Sequence, residues 1–210
     1  MSDPISATRF QALVDDAGIP ATFYDGWQTR NRGQRNDGWG RTTRNPTGVH
    51  GVLYHHTVTR DFTTTLRLVR DVGQPENEVP PPLYHGFVDK QGHLHVVGWG
   101  RVNHAGLGDL GVLNAVIRED TVPAPVANTI DGNARFYGFA GINMGDMRDP
   151  WPAVQLETLA AVGAVICAEH GWTERSAIGH HQWQVGKVDP RGPEGYLSAR
   201  LRQLLRGKLA

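Results

Sequence analysis

Cysteine is almost absent from this chain: Cys167 stands alone among 210 residues. A disulfide framework within one chain is therefore excluded, and so is a zinc finger built on cysteines. Cys167 sits in an apolar helical stretch and reads as a small buried hydrophobe. The fold has no need of an oxidising compartment. An excess of either charge is also lacking. Lys and Arg number 21 and Asp and Glu number 21, so the formal net charge is zero. That balance argues against a general polyanion binder, and nucleic acid is not an expected partner. No apolar run approaches the roughly eighteen residues that a membrane span needs. Met1 to Gly18 is mixed and partly acidic, without the basic-then-apolar order of a signal peptide.

What the chain does have is histidine, ten of them, several in pairs or near-pairs. Histidine is the commonest metal ligand and the side chain that titrates near neutrality. Arginines cluster between Arg30 and Arg44 among Gly, Asn and Asp, the composition of an exposed loop.

The hydrophobic pattern predicts a short helix over Ile5 to Ala17 and then a long loop from Pro20 to Gly48 holding one short element at most. A buried strand from Val49 carries His55 and His56, and a helix covers Thr63 to Val72. A Pro-rich connection spans Glu76 to Pro82. Leu83 to Asp89, Lys90-Gln91-Gly92 and His93 to Val97 read as a hairpin. Ile117 to Asn133 reads as a loop or insertion, and Phe136 to Met144 as a second buried strand. The clearest helix runs from Pro152 to Glu169 and stops before Gly171. Ala177 and Ile178 form a short strand into His180, and Ser198 to Leu209 is an amphipathic terminal helix. Strands and helices mix without strict βαβ alternation. The expected architecture is one α/β domain with a mixed central sheet flanked by helices. Residues 1–48 then form an N-terminal helix and loop of the same domain, and 49–210 its core and terminal helix. The expected assembly is a monomer.

Two segments carry metal-friendly chemistry. Tyr54-His55-His56-Thr57 lies on a strand, where neighbouring side chains point to opposite faces, so only one histidine can serve a given site. Gly179-His180-His181 through Lys187-Val188-Asp189-Pro190 poses the same choice for its histidine pair. It adds a carboxylate and a lysine two residues apart. Histidine and aspartate from separate chain regions are the usual ligands of a catalytic zinc site, and a lysine beside a metal can stabilise developing negative charge. His93 and His95 share a strand face, but no carboxylate accompanies them there at close spacing, so they are read as structural.

Val52-Leu53-Tyr54-His55-His56-Thr57, Tyr84-His85, Asn103-His104-Ala105-Gly106 and Gly179-His180 through Asp189-Pro190 occur in that order. This combination resembles the zinc-dependent N-acetylmuramoyl-L-alanine amidases of type 2. They share a fold with peptidoglycan recognition proteins and include many phage endolysins. The resemblance runs from about Val49 to Pro193. It implies zinc ligands at His55, His180 and Asp189, with His181 as the alternative to His180. It implies that Tyr84 and Lys187 line the scissile amide and that His104 lies on the rim of the substrate groove. Some family members carry a catalytic Glu where this chain has Gly141-Ile142-Asn143-Met144. Asn143 cannot act as a general base, and the expectation for it is a place on the substrate side of the groove.

The function so implied is zinc hydrolysis of the amide between N-acetylmuramic acid and L-alanine in bacterial peptidoglycan, by a phage or prophage endolysin. Two neutral histidines and a carboxylate leave a fourth position for water and lower its pKa toward neutrality. Without a signal peptide, such a protein is expected to be made in the host cytoplasm and to act on the wall after release. The alternatives are a non-catalytic peptidoglycan-binding module of the same fold and a cytoplasmic amidase that recycles muropeptides.

Overall fold

The computed structural model describes residues 2–33, 38–40 and 48–209. Of the predicted arginine cluster, Arg35, Arg41 and Arg44 lie outside the described residues. In chain order the strands are β1 (Ala21–Phe23), β2 (Gly51–His56), β3 (Gly86–Val88), β4 (Leu94–Val96), β5 (Leu107–Gly108), β6 (Ile130–Asp131), β7 (Phe136–Gly141), β8 (Ala177–Gly179), β9 (Arg191–Gly192) and β10 (Gly195–Tyr196). The α-helices are α1 (Ala7–Asp16), α2 (Phe62–Leu66), α3 (Leu110–Ile117), α4 (Ala153–His170), α5 (His180–Trp183) and α6 (Ser198–Leu209).

Six strands form one sheet in the order β1-β4-β3-β7-β2-β8. Every neighbouring pair is parallel except the β3–β4 hairpin. The mixed sheet expected from the sequence is therefore present. β7 and β2 are neighbours in its interior, and every residue of both is buried. Strands covered on both faces read as near-continuous apolar runs, which is how both segments look in the sequence. The two faces of β2 serve different layers. Val52 and Tyr54 point to the core shared with α4, where the Tyr54 hydroxyl donates to the Leu159 carbonyl at 3.2 Å. Gly163 makes that approach possible, because a Cβ there would overlap the Tyr54 hydroxyl. Leu53 points the other way, into a core with Phe136, Ile178, Trp183 and the α3 residues Val112, Leu113 and Val116.

α4 begins one residue after Pro152 and ends at Gly171, which takes φ 68°. The left-handed C-terminal glycine is the stop signal the sequence offered. α6 packs Leu201 and Leu205 into the same core. α1 is capped by Ser6, whose side chain accepts from Arg9 N at 3.1 Å, and its Phe10 stacks on Trp99 at 4.2 Å. Burying Phe10 completely contributes about 1.5–3 kcal/mol. The N-terminal helix thus shares the core of the strands rather than standing apart.

Three expectations need adjustment. The helix over Thr63 to Val72 is α2 running directly into a π-helical stretch, Arg67–Val72. The loop from Pro20 contains β1, which adds to the sheet edge beside β4. α3 had no counterpart in the sequence reading. Leu110, Val112, Leu113, Val116 and Ile117 give it almost no polar face, so it lacks an amphipathic signature. Its cap was visible, since Asp109 Oδ1 accepts from Gly111 N and Val112 N at 2.7 and 3.1 Å. Among the described residues no helix is long and apolar enough to cross a membrane.

Candidate metal centre and its groove

The sheet register brings the two histidine segments together. Tyr54 pairs with Gly179 across the parallel β2–β8 ladder, so the chain enters His55 and His180 side by side. His55 follows the Leu53 face of β2, toward α5 and away from α4. α5 then starts at His180, and its chain loops back so that His181 N donates to the Asp189 carbonyl at 2.8 Å. This tie returns Asp189 to the start of the segment. The Asp189–Pro190 peptide bond is cis.

Three polar atoms converge at this point. His55 Nδ1 lies 3.0 Å and His180 Nδ1 3.1 Å from Asp189 Oδ2, and the two Nδ1 atoms are 3.2 Å apart. All three residues are buried. Burial lowers the His55 pKa to about 4, against the raising effect of the neighbouring Asp189. Burial pushes Asp189 up, but His180 and His55 outweigh it and hold the carboxyl well below its ordinary value. The site therefore contains an ionised carboxylate against a neutral His55. His180 Nε2 faces the Gln184 amide oxygen at 2.9 Å, an acceptor that calls for the ring proton and leaves Nδ1 with its lone pair. Lone pairs from two imidazoles and a carboxylate aimed at one point suit a cation, so the donor set fits a bound metal.

A groove of about 360 Å³ opens over this centre. Tyr84, Lys187, Asn103, Gln184, Glu78 and Arg32 are among its lining residues. The Tyr84 ring lies 5.0 Å from that of His55, and its hydroxyl points at the His56 carbonyl at 3.5 Å. Burial raises the Tyr84 pKa, so the phenol keeps its proton and acts as a donor. Lys187 is exposed on the groove wall, and its charge contributes to lowering the His55 pKa.

The sequence profile of the N-acetylmuramoyl-L-alanine amidase family matches residues 44–192, well over half of the chain. The chain belongs to that family. Among solved structures it is similar to Staphylococcus aureus hydrolase AmiA in complex with its ligand, at 11% identity and TM-score 0.53, covering 100% of this chain and 93% of that one. It is also similar to the Escherichia coli N-acetylmuramyl-L-alanine amidase AmiD with the substrate anhydro-N-acetylmuramic acid-L-Ala-D-gamma-Glu-L-Lys. That match has 17% identity and TM-score 0.53, over 84% of this chain and 65% of that one. The endolysin amidase LysCS from Clostridium intestinale matches at 17% identity and TM-score 0.48, over 75% and 84% of the two chains. At these identities the likeness is one of fold. No curated protein matches by sequence.

Within this amidase-family chain, His55, His180 and Asp189 are brought together, and Tyr84 and Lys187 border them. His181 turns away: its Nδ1 faces the Asp189 backbone carbonyl at 3.2 Å and its ring stacks on Tyr196 at 3.9 Å. His56 is likewise outside the triad, packed over Gly145.

One site expectation, that for Asn143, is corrected. Asn143 has no exposure, and its amide donates to the Asp149 and Pro150 carbonyls at 3.0 and 3.3 Å while its oxygen accepts from Gly145 N at 2.8 Å. It braces the 143–150 loop and is not among the residues that line the groove. His104 borders the groove but is buried, with both ring nitrogens occupied: Nδ1 by His55 Nε2 at 3.1 Å, Nε2 by the Phe136 carbonyl at 3.0 Å. No ring nitrogen is left for substrate.

Two contributors escaped the sequence reading. Gln184, four residues after His180, orients that ring, and the i, i+4 spacing was the available signal. Asn133 Oδ1 accepts from His104 N, Ala105 N and Gly106 N at 2.9, 2.8 and 3.3 Å. It follows an Asp-Gly pair that reads only as a turn.

Proposed function

We propose that this chain is a zinc-dependent peptidoglycan hydrolase that cleaves the amide between N-acetylmuramic acid and L-alanine. The observation that carries the reading is the meeting of His55 Nδ1, His180 Nδ1 and Asp189 Oδ2 on the floor of the groove. These three residues would hold a zinc ion there, and it would supply Lewis acidity to a water and to the amide carbonyl.

The chain's own residues set up the amide around it. Lys187 offers an ammonium to the carbonyl oxygen, whose negative charge grows as the carbon becomes tetrahedral. Tyr84 presents a protonated hydroxyl beside His55, suited to orienting the carbonyl or the attacking water. The buried carboxylate of Asp189 balances positive charge at the centre. In the groove, Arg32 provides a cation and Asn103 and Gln184 provide amides, a polar lining suited to a peptide stem. Muramoyl-peptide as the occupant is supported by the substrate bound to the fold relative AmiD. In this reading the protein is an endolysin, made in the host cytoplasm, monomeric, and active on the wall after release.

The test is mass spectrometry of purified peptidoglycan digested with and without a chelator. Stem peptides with a free L-alanine amine are expected from the untreated digest and none with the chelator present, with restoration by added zinc. Peptide release unaffected by chelation would overturn the metal-dependent reading. Cleavage of soluble muropeptides but not of intact sacculi would replace the endolysin role with a recycling one. Zinc binding without any cleavage would identify a binding module.

A further inference from the structure

His104 touches the candidate metal centre without entering it. Its imidazole stands edge-on to His55, ring centroids 5.3 Å apart at 90°. Three features hold it there. Asn133 Oδ1 gathers the backbone N–H groups of residues 104–106. Gly138 in β7 leaves the space the ring fills, since a Cβ at that position would overlap His104 Nδ1. The Phe136 carbonyl meets Nε2 at 3.0 Å.

A carbonyl oxygen only accepts, so the proton of a neutral His104 is on Nε2 and Nδ1 is a bare acceptor. His55 Nε2, at 3.1 Å, must then be the donor. A neutral imidazole has one N–H, so His55 Nδ1 keeps its lone pair, and that atom is the one facing His180 Nδ1 and Asp189 Oδ2. The direction of each bond follows from the one before it, starting at a backbone carbonyl that cannot reverse.

We infer that His104 is a positioning residue that fixes the tautomer of His55, through the relay Phe136 C=O, His104, His55, so that Nδ1 is presented unprotonated to a metal. Without the relay, the Asp189 carboxylate at 3.0 Å would draw the His55 proton to Nδ1 and block the ligand atom. The inference rests on the metal-dependent reading for its purpose, but the tautomer itself is independent of it.

The experiment has two arms. Nitrogen-15 long-range NMR of histidine-labelled, metal-free protein at neutral pH reads the tautomer directly. The expected result is a proton on His55 Nε2 and a pyridine-like Nδ1; a proton on Nδ1 overturns the proposal. The second arm is zinc affinity by chelator competition. His104→Leu keeps bulk but offers no acceptor, and is expected to weaken zinc roughly 10- to 100-fold, the usual cost of losing an outer partner of a ligating histidine. His104→Asn places an amide oxygen near the Nδ1 position and is expected to recover most of that loss. A folded His104→Leu protein with unchanged zinc affinity overturns the proposal. If that variant does not fold, the wild-type NMR spectrum decides. Wild-type protein that shows the expected tautomer yet binds no zinc would instead sink the metal-dependent function.

Discussion

Among the described residues, two places set two histidines and an aspartate together, and one of them gathers a donor set that could hold a metal. At the groove floor, His55 and His180 present Nδ1 atoms to Asp189 Oδ2 at 3.0 and 3.1 Å. In the β3–β4 hairpin, His95 Nε2 reaches Asp89 Oδ2 at 3.0 Å, with His93 alongside. This also corrects the expectation that no carboxylate accompanies His93 and His95: the hairpin turn folds Asp89 back onto them. The difference lies in where the protons are. Asp89 Oδ1 already accepts from Gln91 N and His93 N at 2.9 Å, while His95 donates from Nε2 and faces the Tyr24 hydroxyl with Nδ1 at 3.3 Å. His93 Nε2 faces Thr22 Oγ1 at 2.9 Å. Apart from the half-buried His93 Nδ1, each polar side-chain atom of this cluster has its partner within the protein. At the groove, the outer nitrogens of both histidines are occupied and the inner ones are left with lone pairs facing a carboxylate. A closed hydrogen-bond set is a brace; converging lone pairs are a ligand set.

The sharpest way to break this comparison is to remove one histidine from each place. His55→Ala is expected to lose bound zinc and to reduce peptidoglycan cleavage to background, measured by metal analysis and peptide release. His95→Ala is expected to leave metal content and cleavage near wild type. Its cost is in stability, about 1–3 kcal/mol by chemical denaturation, because Asp89 Oδ2 loses its side-chain partner in a largely buried setting. A His95 variant that lost zinc, or a His55 variant that kept full activity, would erase the distinction.

Acid comes next in size. Burial lowers His50, His85 and His170 to about 4, as it does His55. Between that value and 6.5 the unfolded chain binds protons that the folded chain refuses. Stability is therefore expected to fall as the pH drops from about 6.5 toward 4, by at most about 1.4 kcal/mol per pH unit for each such histidine. Urea midpoints at pH 7 and pH 5 measure this. Equal midpoints would mean that these rings take up protons in place, and that the closed partner sets are looser than their geometry.

How much of this could be read from the chain depended on the kind of signal. β2, the hairpin, α4 and α6 were legible because their periodicity and stop residues are local. The three residues that converge at the groove floor were legible because four motifs occur together in order. Which histidine of each pair turns inward was not. Alternation places His55 and His56 on opposite faces, but only the packing of α5 and Trp183 on the Leu53 face tells which is the groove side. The hydrogen bonds of His104 were not legible for a related reason: its motif sits beside the groove, and the Phe136 carbonyl that claims its second nitrogen is 32 residues away. Asn143 was judged by what it replaces in other family members. Its actual partners, the Asp149 and Pro150 carbonyls, belong to a loop conformation no local pattern encodes.

The smallest effect belongs to His93, and it sharpens the contrast most finely. His93 shares a strand face with His95 and stands 4.9 Å from it, ring centre to ring centre, so by spacing alone it would be the second ligand of a hairpin metal site. Its side chain makes one hydrogen bond, to Thr22 Oγ1, and is only half-buried, so water can replace that partner when it goes. The tie to Asp89 uses its backbone N–H, which any residue supplies. His93→Ala is therefore expected to cost less than about 1 kcal/mol and to leave zinc stoichiometry unchanged. Were a second zinc bound by the wild type and lost in this variant, the hairpin would be a ligand set after all, and closure of hydrogen bonds would no longer separate the two places.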